Sequence, residues 1–143
     1  MKPIHILLVE DNEGDIILTK DALDEANIII QLSIAKDGKE ALDMLDKKGR
    51  FAGTALPDLL LLDVNLPKIN GHEVLKYIKR SDRLKHIPVI MLTTSSSETD
   101  INASYNNYVN CFITKPVDVN DFMKVVITIE NFWISIVKLP SLS

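Results

Sequence analysis

Five short apolar runs, separated by segments with helical periodicity, constrain the fold of this chain more than any other feature. Each run is rich in leucine or β-branched residues and is almost continuously apolar, which is typical of strands buried on both faces of a parallel sheet. We predict strands at Ile4–Val9, Ile28–Ala35, Leu59–Leu62, Val89–Leu92 and Val109–Ile113.

Between these runs, apolar residues recur at the spacing of one helix face. The groups with this spacing are Leu18, Ala22, Leu23 and Ala26; Ala41, Leu42 and Leu45; Val74, Leu75 and Ile78; and Phe122, Val125, Val126, Ile129, Phe132 and Trp133. Asp37-Gly38 and Asn70-Gly71 are turn signals before helices. Strict alternation of strands and helices predicts right-handed crossovers. The expected fold is α/β: a flavodoxin-like, doubly wound five-stranded parallel sheet of order 2-1-3-4-5, with helices on both faces.

Length and charge narrow the kinds of function to expect. The 143 residues suffice for one domain, and we expect a single domain over residues 1–143, with a core at about 4–133, a short extension at 134–143 and no separate output domain. The net charge of −4 argues against direct nucleic-acid binding. The apolar runs are too short to span a bilayer, so we expect no membrane association and a cytoplasmic location.

Charged and polar residues follow four of the predicted strands. Glu10 and Asp11 follow the first strand, Asp63 the third, Thr93 the fourth and Lys115 the fifth. Because the carboxyl ends of parallel strands share one edge of the sheet, we expect these side chains to share a crevice. Carboxylates held close together repel one another unless a cation neutralises them, and a Mg²⁺ ion with oxygen ligands suits this role best.

Such a crevice has the chemistry of a phosphoryl site. Lys115 supplies a point charge and Thr93 a hydroxyl donor, which together with a metal ion could bind the phosphoryl oxygens. Asp63 is then placed as a nucleophile that forms an acyl phosphate. Taken singly, each residue has an ordinary alternative role, such as a solvated loop residue or a helix N-cap. Their common position at one sheet edge favours the functional interpretation.

Four segments resemble the signature motifs of response-regulator receiver domains. They are Leu7–Asn12, Leu60–Pro67, Met91–Ser95 and Ile113–Pro116. The resemblance extends from about Ile4 to Trp133. It implies a two-component signalling protein that receives a phosphoryl group from a sensor histidine kinase or a histidine phosphotransfer protein. It also implies a phosphoacceptor and not a multiple-turnover enzyme.

The resemblance assigns a role to each residue that binds the phosphoryl group or the metal. It implies that Asp63 is the phosphoacceptor and also a metal ligand. Asp11 is expected to ligate Mg²⁺ directly, Glu10 through water, and Asn65 through its backbone carbonyl. Lys115 is expected to pair with the phosphoryl group or, before phosphorylation, with Asp63.

The resemblance also implies a switch. Thr93 stands at the position of the switch hydroxyl and Phe112 at that of the switch aromatic, and their movement would change the surface of the fourth helix, fifth strand and fifth helix for a downstream protein target. The Lys115–Pro116 peptide bond is expected to be cis. The chain departs from the family in two places: Phe112 lacks the hydroxyl of the frequent tyrosine, and Asn107-Tyr108 replaces the frequent Gly-Ala.

A narrower resemblance lies toward the C-terminus. Ser104-Tyr105, Val109–Phe112 and Phe132-Trp133 followed by Val137–Pro140 resemble stand-alone regulators associated with phytochrome-type histidine kinases in bacteria. We expect the apolar end of the last helix, at Phe132 and Trp133, to support a homodimer. The alternative is that these two side chains close the core of a monomer.

Three other functions stay open on the sequence. A phosphatase of the haloacid dehalogenase type also uses a strand-end aspartate and Mg²⁺, but its D-x-D motif lies on the first strand, whereas Asp63-Val64-Asn65 follows the third. A flavodoxin-like flavin or nucleotide binder would need a glycine-rich phosphate loop. The third alternative is a receiver that is never phosphorylated. The presence of every pocket residue argues against it.

Overall fold

Strands and helices alternate along the described part of the chain. The computed structural model describes residues 3–26, 28–94, 111–124 and 127. The elements are β1 (Ile4–Val9), α1 (Glu13–Asp24), β2 (Ile30–Ala35), α2 (Gly38–Leu45), a 3₁₀ helix (Gly49–Phe51), β3 (Leu59–Asp63), α3 (Gly71–Arg80), β4 (Val89–Thr93) and β5 (Cys111–Thr114). Residues 119–124 are also helical. The strands form one parallel sheet of order β2-β1-β3-β4-β5, which confirms the predicted topology.

The strand boundaries differ from the predicted ones by one or two residues. β2 begins at Ile30, because Ile29 meets the first strand only through its carbonyl, which accepts a hydrogen bond of 2.9 Å from the Ile4 amide. β3 and β4 each run one residue further than predicted, to Asp63 and Thr93. These two candidate site residues are therefore held by the sheet itself.

Two apolar layers cover the two faces of the sheet. On one face, α2 and α3 pack against β1, β3 and β4, and Val74, Leu75 and Ile78 of α3 are fully buried, as predicted. On the other face, α1 and the helical residues 119–124 pack against the same strands, with Phe122 fully buried. Burial of both faces explains why β3 and β4 are apolar up to their last residues. The edge strand β2 is only partly buried, and Gln31 and Ser33 alternate there with apolar residues.

The predicted apolar face of α1 was wrong at Leu18. Its side chain is 51% exposed, whereas Ile16, Thr19 and Leu23 are buried against the sheet. Ile16, Thr19 and Leu23 follow the three- and four-residue spacing of one helix face, and Leu18 lies off that face. Placing Ile16 and Thr19 inward fixes the rotation of α1. Its first turn lies at the carboxyl edge of the sheet because the helix begins shortly after β1 ends.

Both turn signals mark helix starts. Asp37 is the N-cap of α2 and accepts a hydrogen bond of 2.7 Å from the Glu40 amide. Asn70 is the N-cap of α3 and forms a reciprocal capping box with Glu73. Each such cap stabilises a helix by about 1 kcal/mol and sets its entry point.

Some sequence-based predictions lie outside the described residues. They concern the helix before β5, the first two residues of the predicted fifth strand, Phe132 and Trp133, and the extension at 134–143. Within the described ranges, no helix combines the length and apolarity that crossing a bilayer requires.

Candidate functional site

The predicted carboxylates converge at the carboxyl edge of the sheet. Glu10 and Asp11 directly follow β1, and Asp63 is the last residue of the neighbouring strand β3. One carboxylate oxygen from each of the three residues lies within 4.8 Å of the others. Glu10 and Asp63 are buried and Asp11 is exposed, so the cluster has a closed floor and an open side.

Lys115, immediately after β5, supplies the positive charge of this cluster. Its Nζ donates hydrogen bonds to Asp15 Oδ2 at 2.8 Å, Glu10 Oε2 at 2.9 Å and Asp63 Oδ2 at 3.2 Å. The side chain is only 7% exposed. An ammonium group has three N–H donors, so these contacts use its whole hydrogen-bonding capacity. The expected pairing of Lys115 with Asp63 is present, and the lysine also binds two further carboxylates.

Asp15 is the part of this network that the sequence reasoning missed. It lies in the first turn of α1, and its amide donates to the side chain of the N-cap residue Asn12 at 2.9 Å. Its carboxylate reaches Lys115 across 100 residues of sequence. The signal that could have found it is its position: the first turn of a helix that begins directly after Glu10 must lie at the same sheet edge.

Burial and charge have opposite effects on the pKa values of Glu10 and Lys115. Burial raises the pKa of Glu10 to about 7, although hydrogen bonds from Lys115 and from the Asn12 amide work against that shift, and Asp63 adds to it. Burial lowers the pKa of Lys115, but its hydrogen bonds with Asp15 and Glu10 and the charge of Asp63 raise it overall. The lysine is therefore an ammonium ion at neutral pH, and the carboxylates remain only partly neutralised.

The remaining predicted residues surround this cluster. Thr93 is buried at the end of β4, and its carbonyl accepts a hydrogen bond of 2.7 Å from the Lys115 amide. Asn65 is exposed, and its amide donates to Asp63 Oδ1 at 3.1 Å. Phe112 is half-buried opposite Met91 in the register of β4 and β5. The peptide bond between Lys115 and Pro116 is cis, as predicted.

The carboxylate cluster fits a divalent metal ion. Carboxylate oxygens are the ligands that hard divalent cations prefer, and Glu10, Asp11 and Asp63 present one each within a small radius. The single ammonium group of Lys115 faces the carboxylates of Glu10, Asp15 and Asp63, and Asp11 adds a further carboxylate to the cluster. A bound cation would supply the missing charge.

The comparison with protein families identifies the class of protein that this fold and site define. The response regulator receiver domain matches residues 6–127, which is most of the chain. The chain belongs to the response regulator receiver domain family and is a response regulator of two-component signalling.

Several of its relatives are response regulators of phytochromes. The chain is 45% identical over 139 residues to the response regulator Rcp1 of Synechocystis sp., covering 97% of this chain and 95% of Rcp1. The solved structure of the bacteriophytochrome response regulator AtBRR matches with a TM-score of 0.80 and 44% identity, over 88% of this chain and 91% of that one. The phosphorylated cyanobacterial phytochrome response regulator RcpA matches with a TM-score of 0.78 and 44% identity, over 94% and 96%.

One further solved structure bears on the metal. Rcp1 has been crystallised in a Mn²⁺-bound form, whose structure matches this chain with a TM-score of 0.76 over 92% of this chain and 94% of that one. Together with the acidic cluster of Glu10, Asp11 and Asp63, this likeness indicates a divalent-metal site in the present chain.

Proposed function

We propose that Asp63 accepts a phosphoryl group from the phosphohistidine of a sensor histidine kinase or a histidine phosphotransfer protein. The observation that carries this proposal is the position of the Lys115 ammonium group, 3.2 Å from Asp63 and 2.9 Å from Glu10 in a carboxylate pocket. A buried lysine beside a strand-end aspartate provides the local positive charge that a doubly charged phosphoryl group needs.

In the proposed reaction, a carboxylate oxygen of Asp63 forms a bond to phosphorus while the phosphorus–nitrogen bond of the phosphohistidine breaks. The electron pair of that bond leaves with the imidazole ring of the donor, which regains a proton. The Asn65 amide and the Lys115 ammonium group bind different oxygens of the Asp63 carboxylate and so fix its orientation. Positioning and charge neutralisation are the main contributions that a protein makes to phosphoryl transfer.

We propose Mg²⁺ as the physiological metal. Its ligands would be Glu10, Asp11, Asp63 and the backbone carbonyl of Asn65, and the oxygen-only donor set supports this choice. The ion would supply positive charge against the phosphoryl oxygens. Lys115 would then pair with the phosphoryl group. Its burial and its contact with Glu10 would keep the positive charge in place before and after transfer.

We propose that Thr93 and Phe112 transmit the state of Asp63. The hydroxyl of Thr93 would bind the phosphoryl group, and the space that it leaves would admit the Phe112 ring. The backbone contact between Thr93 and Lys115 and the half-buried state of Phe112 support this coupling. The phosphoryl group would shift a pre-existing equilibrium, limited by how much better it fits one state, toward an altered surface of the predicted fourth helix, fifth strand and fifth helix. That surface would bind a downstream protein.

The relatives support a more specific assignment. We propose that the kinase is of the phytochrome type, since RcpA and AtBRR are phytochrome response regulators. The coverage of Rcp1 supports a single receiver domain over residues 1–143. We further propose a cytoplasmic protein that is not a multiple-turnover enzyme and that forms a homodimer, which light scattering at several concentrations would test.

Phosphorylation of Asp63 is tested by replacing it. Wild-type protein incubated with acetyl phosphate and Mg²⁺ should gain the mass of one phosphoryl group, and Asp63→Asn should gain none. Asp43→Asn, at a half-buried residue of α2 that pairs with Lys39 outside the pocket, is the matched control and should behave as wild type. A normal phosphoprotein signal from Asp63→Asn would refute the assignment. Many turnovers of a chromogenic phosphate ester would instead favour a phosphatase.

A further inference from the structure

We infer that Asp15 is a positioning residue. It competes with the phosphoryl group for Lys115 and so weakens binding of the phosphoryl anion in the pocket. This inference rests on the proposed function of Asp63 and Lys115. Asp15 accepts a hydrogen bond from Lys115. It is not one of the three carboxylates, those of Glu10, Asp11 and Asp63, whose oxygens converge.

The distances show which acceptor holds the ammonium group most closely. Nζ of Lys115 lies 2.8 Å from Asp15 but 3.2 Å from Asp63, the residue beside which a phosphoryl group would lie. All three N–H donors of the lysine are in use. A new hydrogen bond to a phosphoryl oxygen therefore requires that one of the present acceptors be released.

Burial decides which acceptor is released most easily. Glu10 is fully buried, so leaving its carboxylate without a partner carries a large desolvation cost. The Asp15 side chain is 32% exposed and can be hydrated when the lysine leaves it. Asp63 would itself carry the phosphoryl group, so the acceptors that still compete with that group are Glu10 and Asp15. Of these two, Asp15 yields more easily, and the strength of its hold on Lys115 opposes movement of the ammonium group toward a phosphoryl oxygen.

The charge of Asp15 acts in the same direction. It adds a negative charge beside the place where an anion would bind and near the carboxylates that would hold a cation. Removing it should therefore strengthen anion binding and weaken cation binding. The opposing effect is the loss of an anchor for Lys115, but the Glu10 contact at 2.9 Å and the 7% exposure of the lysine keep its chain in place. Competition and repulsion therefore outweigh the lost anchor.

The test measures two affinities of opposite expected sign by isothermal titration calorimetry. Beryllofluoride, a phosphoryl mimic, is titrated into protein saturated with Mg²⁺, and Mg²⁺ is titrated separately into metal-free protein. Asp15→Asn should bind beryllofluoride about three- to tenfold more tightly and Mg²⁺ about three- to tenfold more weakly, as expected for one charge at a few ångströms in a partly hydrated site. A merely structural role would weaken both.

Two variants make the comparison specific. Asp15→Glu keeps the charge and should stay close to wild type in both titrations. Glu13→Gln removes a charge from the same helical turn, but Glu13 is 66% exposed and pairs with Lys36, so neither affinity should change by more than about twofold. Equal or weaker beryllofluoride binding by Asp15→Asn, with normal binding by wild type, overturns the inference alone. Failure of wild type to bind beryllofluoride overturns the proposed function and the inference with it.

Discussion

Gly71, the first residue of α3, lies directly behind the backbone of Asp63, and replacing it with alanine tests whether this contact positions the phosphoacceptor. A Cβ at this position would lie 2.2 Å from the Asp63 carbonyl oxygen and 2.8 Å from the Val64 Cα. Both are backbone atoms, so no flexible side chain can move aside. Gly71 itself is tied to the same segment, because its amide donates to the Val64 carbonyl at 3.0 Å.

Relief of this contact requires α3 and the end of β3 to separate. The Cβ–oxygen distance must grow by about 0.8 Å before it reaches 3.0 Å, and Cβ atoms in proteins essentially never make contacts shorter than that. Overpacking of this kind costs about 1 to 3 kcal/mol or more. Alanine gains at most about 1 kcal/mol over glycine from helix propensity, and less at the first helical position. The clash dominates, and we expect Gly71→Ala to lower the free energy of unfolding by about 2 kcal/mol.

Urea denaturation followed by circular dichroism measures the stability, and calorimetry measures beryllofluoride binding with Mg²⁺ present. Gly53→Ala is the matched control, since no atom lies within 4 Å of its added Cβ. We expect that control to stay within about 0.5 kcal/mol of wild type. If Gly71→Ala is as stable as Gly53→Ala, the packing argument is refuted. If Gly71→Ala is destabilised but binds beryllofluoride normally, its proposed influence on Asp63 is refuted.

Two further predictions concern the charges of the pocket. The folded-state pKa of Glu10 is raised from 4.5 to about 7. In metal-free protein the free energy of unfolding should therefore fall by up to about 3 kcal/mol as pH rises between these values, and Glu10→Gln should remove that fall. Urea denaturation in EDTA at several pH values checks this, and the same pH dependence in Glu10→Gln as in wild type contradicts it. Lys115→Met leaves Glu10 and Asp63 without their cation, so it should cost about 3 kcal/mol at pH 8, partly restored by Mg²⁺, whereas Lys36→Met at an exposed pair should cost less than about 1 kcal/mol. Equal stability of the two methionine variants would contradict this account.

The fold was predictable because its signals are local. The run at Leu59–Leu62 reads as a buried strand without knowledge of its neighbours, and Val74, Leu75 and Ile78 show a helix face by their spacing alone. The ends of the strands were harder to predict, because Asp63 and Thr93 are polar residues that join the sheet through backbone pairing. The Leu18 error has a related cause: the neighbouring residue Thr19 is the buried one, and its polarity conceals the true face of α1.

The site was predictable where topology alone brings residues together. Glu10 and Asp11 follow β1, and Asp63 ends the adjacent parallel strand β3, so their convergence depends only on strand order. Asp15 depends instead on the rotation of α1 and its distance from β5, which no periodicity in the sequence specifies. The close approach of Gly71 to Asp63 is equally a property of how α3 packs on the sheet. The roles of Thr93, Phe112 and the Asn65 carbonyl stay predictions.

The same ammonium group connects the stability of the pocket with its proposed signalling function. Lys115 holds three carboxylates together, and two of its partners, Glu10 and Asp63, are buried residues that would repel each other without it. A phosphoryl group on Asp63 would draw on that same donor, so the resting contacts and the phosphorylated contacts cannot all be made at once. Ligands that bind only the folded pocket also stabilise it by mass action. Variants that loosen the resting network, such as those of Asp15, should therefore change the balance between the two states even though they leave Asp63 itself untouched.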